Sequence, residues 1–257
     1  MTHSTARRFV GKVIILALAA SAYGAGVGWA QTVTLSAKYG TVDVNGKEYV
    51  VQNNVWGADT AQALSVDPNT GAFTVVTSDH NLPTNGAPAS YASIFRGTHW
   101  GNVTTKSGLP LEVDKIASVP STWKITSTGT GAWDAAYDIW FNKTSATTGQ
   151  PDGAELMIWI NHRGGIRPAG QKIATVQIDG ATWDLWTADF KWKYIAYVRS
   201  TPSDSAKLEL KDFFNDAVAR GLVQPAWYLV GVEAGFELWQ GGTGLASDLF
   251  SVKPAGM

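Results

Sequence analysis

The 257-residue sequence has no cysteine, and acidic and basic side chains together make up only 16% of it. Without cysteine, no disulfide can staple the fold and no thiolate metal site can form. A chain this poor in charge and 45% hydrophobic is globular and not disordered. No apolar run approaches the roughly 18 residues of a membrane-spanning helix. The longest, Val13–Ala22, is too short to cross a bilayer comfortably. Acids are missing from the start of the chain, where none occurs before Asp43, while Arg7, Arg8 and Lys12 precede the apolar run. Gly28 and Ala30 stand at cleavage-type positions before Gln31. Residues 1–30 therefore read as a secretory signal peptide. Arg7–Arg8 followed by Phe9 is a poor match to a twin-arginine signal, so the export route stays open.

The mature chain is expected outside the cell or in a periplasm, soluble and without a membrane partner. The sequence has 20 basic and 21 acidic side chains, and the leader takes three basic ones, which leaves 17 against 21. A formal charge of −4 does not favour a nucleic-acid backbone. About 225 residues bury enough surface to fold without staples.

Twelve tryptophans and 27 glycines are present. Short runs rich in β-branched and aromatic residues recur from Gln31 onward, with Gly, Asn, Asp and Pro between them. Ten such runs read as strands: 47–56, 71–79, 121–129, 135–143, 154–162, 172–180, 181–190, 194–200, 226–239 and 249–254. Asp179–Gly180 is a two-residue hairpin signal. Only one stretch has a helical period, with Leu210, Phe213, Phe214, Ala217 and Val218 on one side. Asp212 at its start and Gly221 after it bound one helix near 211–220, packed on the back of a sheet. No linker or repeat divides the chain after residue 30. The reading is one all-β domain over 31–257, a two-sheet curved β-sandwich, expected as a monomer.

Two strands carry an unexpected acid. "AELMIWI" (Ala154–Ile160) begins with Glu155, and "VEAGFELWQGG" (Val232–Gly242) sets Glu237 between Phe236 and Leu238. Side chains alternate along a strand. Glu155, Met157, Trp159 and Asn161 then share one face, and Leu156, Ile158 and Ile160 the core face. Glu233, Gly235, Glu237 and Trp239 likewise oppose Val232, Ala234, Phe236 and Leu238. Gly231 and Gly235 beside these acids suggest room above the sheet for a ligand. A third strand puts Asp134, Asp138 and Trp140 on such a face. Acids and indoles over an apolar backing suit a sugar polymer: flat pyranose faces lie on indoles, and rim hydroxyls bond to carboxylates. Cleaving a glycosidic bond needs one ionised carboxyl and one protonated one. Glu237, flanked by Phe and Leu and beside Trp239, suits the proton donor, and Glu155 the nucleophile. A strand glutamate is otherwise a solvated residue or half of an ion pair, and a non-catalytic glycan-binding sandwich would also show a tryptophan-lined face.

Together these segments resemble glycoside hydrolase family 12. "AELMIW" resembles its nucleophile strand and "AGFELWQGG" its acid/base strand. "NNVWG" (Asn53–Gly57) is similar to its N-terminal substrate-binding segment, and "AYDIWF" (Ala136–Phe141) to the strand with an aspartate beside the nucleophile. "RPAG" (Arg167–Gly170) resembles the loop crossing the cleft, and "LKDFF" the start of the single helix. The resemblance implies a β-jelly roll with an open cleft on its concave face and retaining, endo-acting hydrolysis of β-1,4-glucan. It implies Glu155 as nucleophile, Glu237 as acid/base, and Asp138 as a hydrogen-bonding support for the nucleophile. It implies that Asn54, Trp56, Met157, Trp159 and Pro168 line the cleft. Asp134, Glu233 and Trp239 join them as substrate-side residues on the shared face. Glu233 stands where the family often has Gln, Asp134 where a neutral residue is common, and "TADFKWK" (Thr187–Lys193) where a Gly- and Asn-containing segment is expected. Preference among cellulose, mixed-linkage glucan and xyloglucan stays open.

The remaining constellations carry little. His80, His99 and His162 lack ligand spacing, so no metal or cofactor is expected. There is no G-x-S-x-G, and "GGTG" (Gly241–Gly244) reads as a turn. Trp123, Trp133, Trp183, Trp186, Trp192 and Trp227 are expected in the core or at a rim.

Overall fold

Alternating apolar residues and frequent turn signals fold this chain into β-strands. A computed structural model describes residues 32–257; the expected leader lies outside the described residues. In chain order the strands are β1 (Val33–Leu35), β2 (Thr41–Val44), β3 (Tyr49–Gln52), β4 (Gln62–Val66), β5 (Phe73–Ser78), β6 (Ser90–His99), β7 (Asn102–Val103), β8 (Leu111–Glu112), β9 (Ile116–Ser118), β10 (Pro120–Thr126), β11 (Ala132–Asn142), β12 (Ala154–Arg163), β13 (Gln171–Ile178), β14 (Ala181–Asp189), β15 (Lys193–Arg199), β16 (Ser205–Glu209), β17 (Tyr228–Gln240), β18 (Ala246–Val252) and β19 (Ala255–Gly256), with helix α1 (Leu210–Ala219) between β16 and β17.

One sheet runs β1-β4-β5-β18-β10-β16; the larger runs β13-β14-β15-β12-β11-β17-β6-β3-β2. Within the larger path only β12 and β15 pair in parallel. The two sheets enclose the core. Trp133, Ala135, Tyr137, Ile139 and Phe141 of β11 are buried in it with Trp123 of β10 and Phe250 of β18. Trp123 meets Tyr137 edge-on at 5.3 Å, and Phe73 meets Phe236 at 6.0 Å. Each such side chain contributes about 1.5–3 kcal/mol by leaving water. The protein is thus the β-sandwich that the alternation implies.

Helix α1 forms as its period predicts. Leu210, Phe213, Phe214 and Ala217 are buried, and the Glu209 side chain caps its start by accepting from Lys211 N. Gly221, at φ +71°, ends it. Phe213 packs against Trp183 at 5.1 Å and Tyr197 at 5.2 Å, which sets the helix on the core side of the larger sheet. Asp179 and Gly180 both take positive φ and join β13 to β14 as the hairpin signal implies.

Two differences bear on the site. The expected strand over 47–56 stops at Gln52, because Asn54 adopts φ +44° and turns the chain. Strand β6 has no counterpart among the ten expected runs. Nine of its ten residues are buried on both faces, so its sequence, SYASIFRGTH, shows no polar–apolar alternation. It packs beside β17 with Ser93 opposite Gly235.

Candidate active site

The face of the larger sheet turned away from the core carries a groove of about 1490 Å³. Its floor is set by register. On β11, Asp134 lies opposite Glu237, and Asp138 opposite Glu233, both of β17. On the other side of β11, Asp138 faces Met157 and Trp140 faces Glu155, both of β12. Glu155, Glu237 and Asp138 all open into the groove. Trp159, Trp239, Trp56, Asn54 and Pro168 line it as well.

Three residues expected at the surface of the groove lie beneath it. Asp134 and Glu233 are 0% exposed and Met157 2%. Glu233 accepts hydrogen bonds from Gln52 Nε2 (2.9 Å) and Ser93 Oγ (3.1 Å), and pairs with His99 Nδ1 at 2.8 Å. Met157 Sδ accepts from the Tyr194 hydroxyl at 3.3 Å. These residues support the floor. Asn161, expected on the same face, turns the other way. A bulge leaves Ile160 unpaired between Trp159, opposite Ala136, and Asn161, opposite Ala135, which reverses the alternation. Asn161 Nδ2 instead donates to Asp204 at 2.6 Å. Gly231 and Gly235 do not make room for a ligand either. A Cβ on Gly235 would lie 2.1 Å from Ala92 O, and one on Gly231 2.6 Å from Thr98 O. Both glycines permit close approach of β6.

The walls are fixed by backbone geometry. The positive φ of Asn54 projects Asn54 and Trp56, which is 46% exposed, from the end of β3. On the far side, Gly164, Gly165 and Gly170 take positive φ around Pro168. A Cβ on Gly170 would lie 1.9 Å from Thr187 O, so only glycine fits that close crossing. Trp239 Nε1 donates to Gly86 O at 2.7 Å and ties down the segment above it.

The carboxyl groups differ in their partners. Glu155 Oε2 accepts from Trp192 Nε1 at 2.6 Å. Burial, opposed by this bond and reinforced by the charges of Glu237 and Glu233, pushes Glu155 up to about 8. Glu237 lies opposite Asp134, and its backbone N–H donates to Asp134 Oδ1 at 3.4 Å. Burial and the Asp134 charge hold Glu237 well above the usual carboxylate range. Burial raises Asp134 to about 7, while the bond from the Glu237 backbone N–H pulls it down. Asp138 is raised by burial and by the charges of Glu155, Glu233 and Glu237. It accepts from Trp140 Nε1 at 2.9 Å. Asp138 thus meets Glu155 through charge and not through a hydrogen bond; among the described residues the hydrogen bond to the Glu155 carboxyl comes from Trp192.

Sequence reasoning left Trp192 between core and rim and gave Trp100 no place. Both line the groove. Trp100, at φ +44°, packs on His99 at 4.2 Å and edge-on to Trp140 at 5.2 Å. Exposed tryptophans in a sequence that also buries Trp123, Trp133 and Trp183 have no local signature. Trp192 could have been suspected from its neighbours Phe190 and Lys191 at a strand end.

A β-sandwich with paired carboxyls along an aromatic groove is the construction of a hydrolase acting on a polysaccharide chain. Comparison with known proteins agrees. The family model described as Glycosyl hydrolase family 12 matches residues 47–253. The solved structure of endoglucanase cel12A from Rhodothermus marinus is 49% identical, covers 88% of this chain and 100% of its own, and superposes with a TM-score of 0.86. A probable cellulase, Cel12b, of Mycobacterium tuberculosis is 34% identical over 57% of this chain and 97% of its own. A xyloglucan-specific endo-beta-1,4-glucanase A of Aspergillus niger is 30% identical over 76% of this chain and 80% of its own. The chain belongs to glycosyl hydrolase family 12.

Proposed function

We propose that this protein is an exported, endo-acting β-1,4-glucan hydrolase that retains anomeric configuration, with Glu155 as nucleophile and Glu237 as acid/base. The observation that carries the reading is the unequal pairing of the two glutamates along one groove. Glu237 lies beside the buried Asp134 carboxyl, whose charge favours its protonated form, and Glu155 accepts an indole N–H that favours its ionised form. In the first step Glu155 Oε1, free of hydrogen bonds, attacks the anomeric carbon. The bond to the leaving oxygen breaks and that oxygen takes the Glu237 proton. In the second step the Glu237 carboxylate takes a proton from water, whose oxygen attacks the same carbon and expels Glu155. Two inversions return the original configuration. Trp56 and Trp100, the exposed indoles of the groove, supply faces for glucosyl rings, while Trp159, Trp239 and Trp140 back its floor, and an open groove admits a chain in its interior. Asp138 sets the charge around Glu155.

A linear β-1,4-glucan is the preferred substrate class, supported by the higher identity to an endoglucanase than to the xyloglucan-specific relative. Rates on carboxymethyl cellulose, mixed-linkage glucan and xyloglucan test that preference; xyloglucan hydrolysed fastest would reverse it. The basic, apolar start of the chain supports export. No helix among the described residues is long and apolar enough to cross a membrane.

Glu155→Gln and Glu237→Gln test the assignment. Each should lower kcat by at least about 10²–10⁴-fold, while binding of cello-oligosaccharides by calorimetry changes little. Proton NMR of the first product should show the β-anomer. Full turnover by either variant, or an α-product, refutes the mechanism; binding without any hydrolysis by the parent chain would return the reading to a glycan-binding sandwich.

A further inference from the structure

Glu155 is enclosed by groups that are mostly occupied elsewhere. From β11, Trp140 donates its N–H to Asp138, and the Glu155 charge raises the Asp138 carboxyl. From β15, the Tyr194 hydroxyl is spent on Met157 Sδ. From β17 come two further carboxyls, Glu233 and Glu237; Glu233 is paired with His99 of β6. Lys193, next in sequence to Trp192, pairs with Asp189. Every charged group bearing directly on Glu155 is therefore acidic, and each disfavours its ionised form. One donor opposes them, the Trp192 indole at 2.6 Å.

That indole is rigidly placed. It packs against Trp140 with ring centres 5.7 Å apart and edge-on to Phe190 at 5.6 Å. Phe190 N donates to Trp192 O at 2.9 Å, closing the turn between β14 and β15. The bond occupies Oε2 and leaves Oε1 to face the groove.

We infer that Trp192 is a positioning residue that favours the ionised form of Glu155 and aims its free oxygen at the anomeric carbon. This inference rests on Glu155 being the nucleophile. Its physical content is one charge-assisted hydrogen bond, short because the acceptor is anionic; Arg167 also lines the groove, but the charges that shift Glu155 are those of Glu237 and Glu233.

The test uses the full chain and 2,4-dinitrophenyl β-cellobioside, whose leaving group needs no proton, so that the acid limb of kcat/KM reports the nucleophile. Trp192→Phe removes the N–H. Replacement of Trp192 by 3-benzothienylalanine removes it while keeping the shape of the indole, which guards against a merely misfolded variant. In both, the acid limb should move to higher pH by about one unit. The rate below the limb should fall about tenfold for that one-unit shift, with KM within about twofold. An acid limb that stays in place in the benzothienyl variant overturns the inference, whether or not kcat falls, since a structural role would lower kcat without moving the limb. Glu155→Gln run alongside separates the two claims. If it still turns over the substrate, the nucleophile assignment fails and this inference with it. If it is inactive while the limb is unmoved, only the role of Trp192 fails.

Discussion

At the scale of the residue, the site works by giving similar side chains different company. Asp134 and Glu237 are the clearest case. Asp134 is wholly buried, its Oδ2 has no N–H or O–H donor from the described residues, and its Oδ1 accepts from Glu237 N at 3.4 Å. An ionised Asp134 beside Glu237 makes loss of the Glu237 proton costly. Asp134→Asn removes the charge and keeps the shape. The Glu237 carboxyl should then release its proton more easily, and the alkaline limb of kcat/KM should move to lower pH by about one unit. A pH profile on an unactivated cello-oligosaccharide, whose leaving oxygen needs protonation, measures it. An alkaline limb that stays put would mean that burial alone holds the proton. The sequence placed Asp134 on the right face of its strand, but alternation gives a face and not a depth. It could not tell a side chain on the floor of the groove from one under it, which is why Asp134, Met157 and Glu233 were expected at the surface.

At the scale of the element, the close pairing of β17 with β6 brings the acids to their level. Gly235 lies between Glu233 and Glu237, opposite Ser93 of β6, and its missing Cβ lets the two backbones approach. Gly235→Ala should force them apart. Overpacking of this kind costs about 1–3 kcal/mol, and here it should also move Ser93 away from Glu233. Urea denaturation would give the stability loss, and kcat should fall with it; a variant as stable and active as the parent would show that the strands can slide to accommodate a methyl group. The strands that read well were those with one face in the core and an acidic or indole face opposite, as in β11, β12 and β17. Strand β6 did not, because burial on both faces erases the period of two. The bulge at Ile160 was invisible for a different reason: it is a property of the pairing with β11, so Asn161 was assigned by an alternation that the partner strand interrupts.

At the scale of the whole molecule, family and sandwich were legible because short motifs recur in order along the chain, whereas the groove depends on loops that local sequence does not shape. The collected carboxyls also have a cost that belongs to the entire fold. Glu155 and Asp134 have ordinary values of 4.5 and 3.8, and in the folded protein they rise to about 8 and about 7. Between those limits the folded chain binds more protons than the unfolded one. Stability must therefore fall as pH rises through the window, being highest below about pH 4 as far as these groups are concerned. Glu155 is partly exposed to the groove, so its share is discounted to about 1–3 kcal/mol. Glu155→Gln cannot ionise and escapes that share. At acid pH the variant and the parent should unfold at similar temperatures. At alkaline pH the variant should unfold higher, by about 2–4 °C for each kcal/mol relieved. Calorimetric unfolding midpoints measured across the range would decide. Midpoints that run parallel for the two proteins would mean that water in the groove already solvates the Glu155 carboxylate, and that the proton order between the two glutamates is set by the buried Asp134 alone.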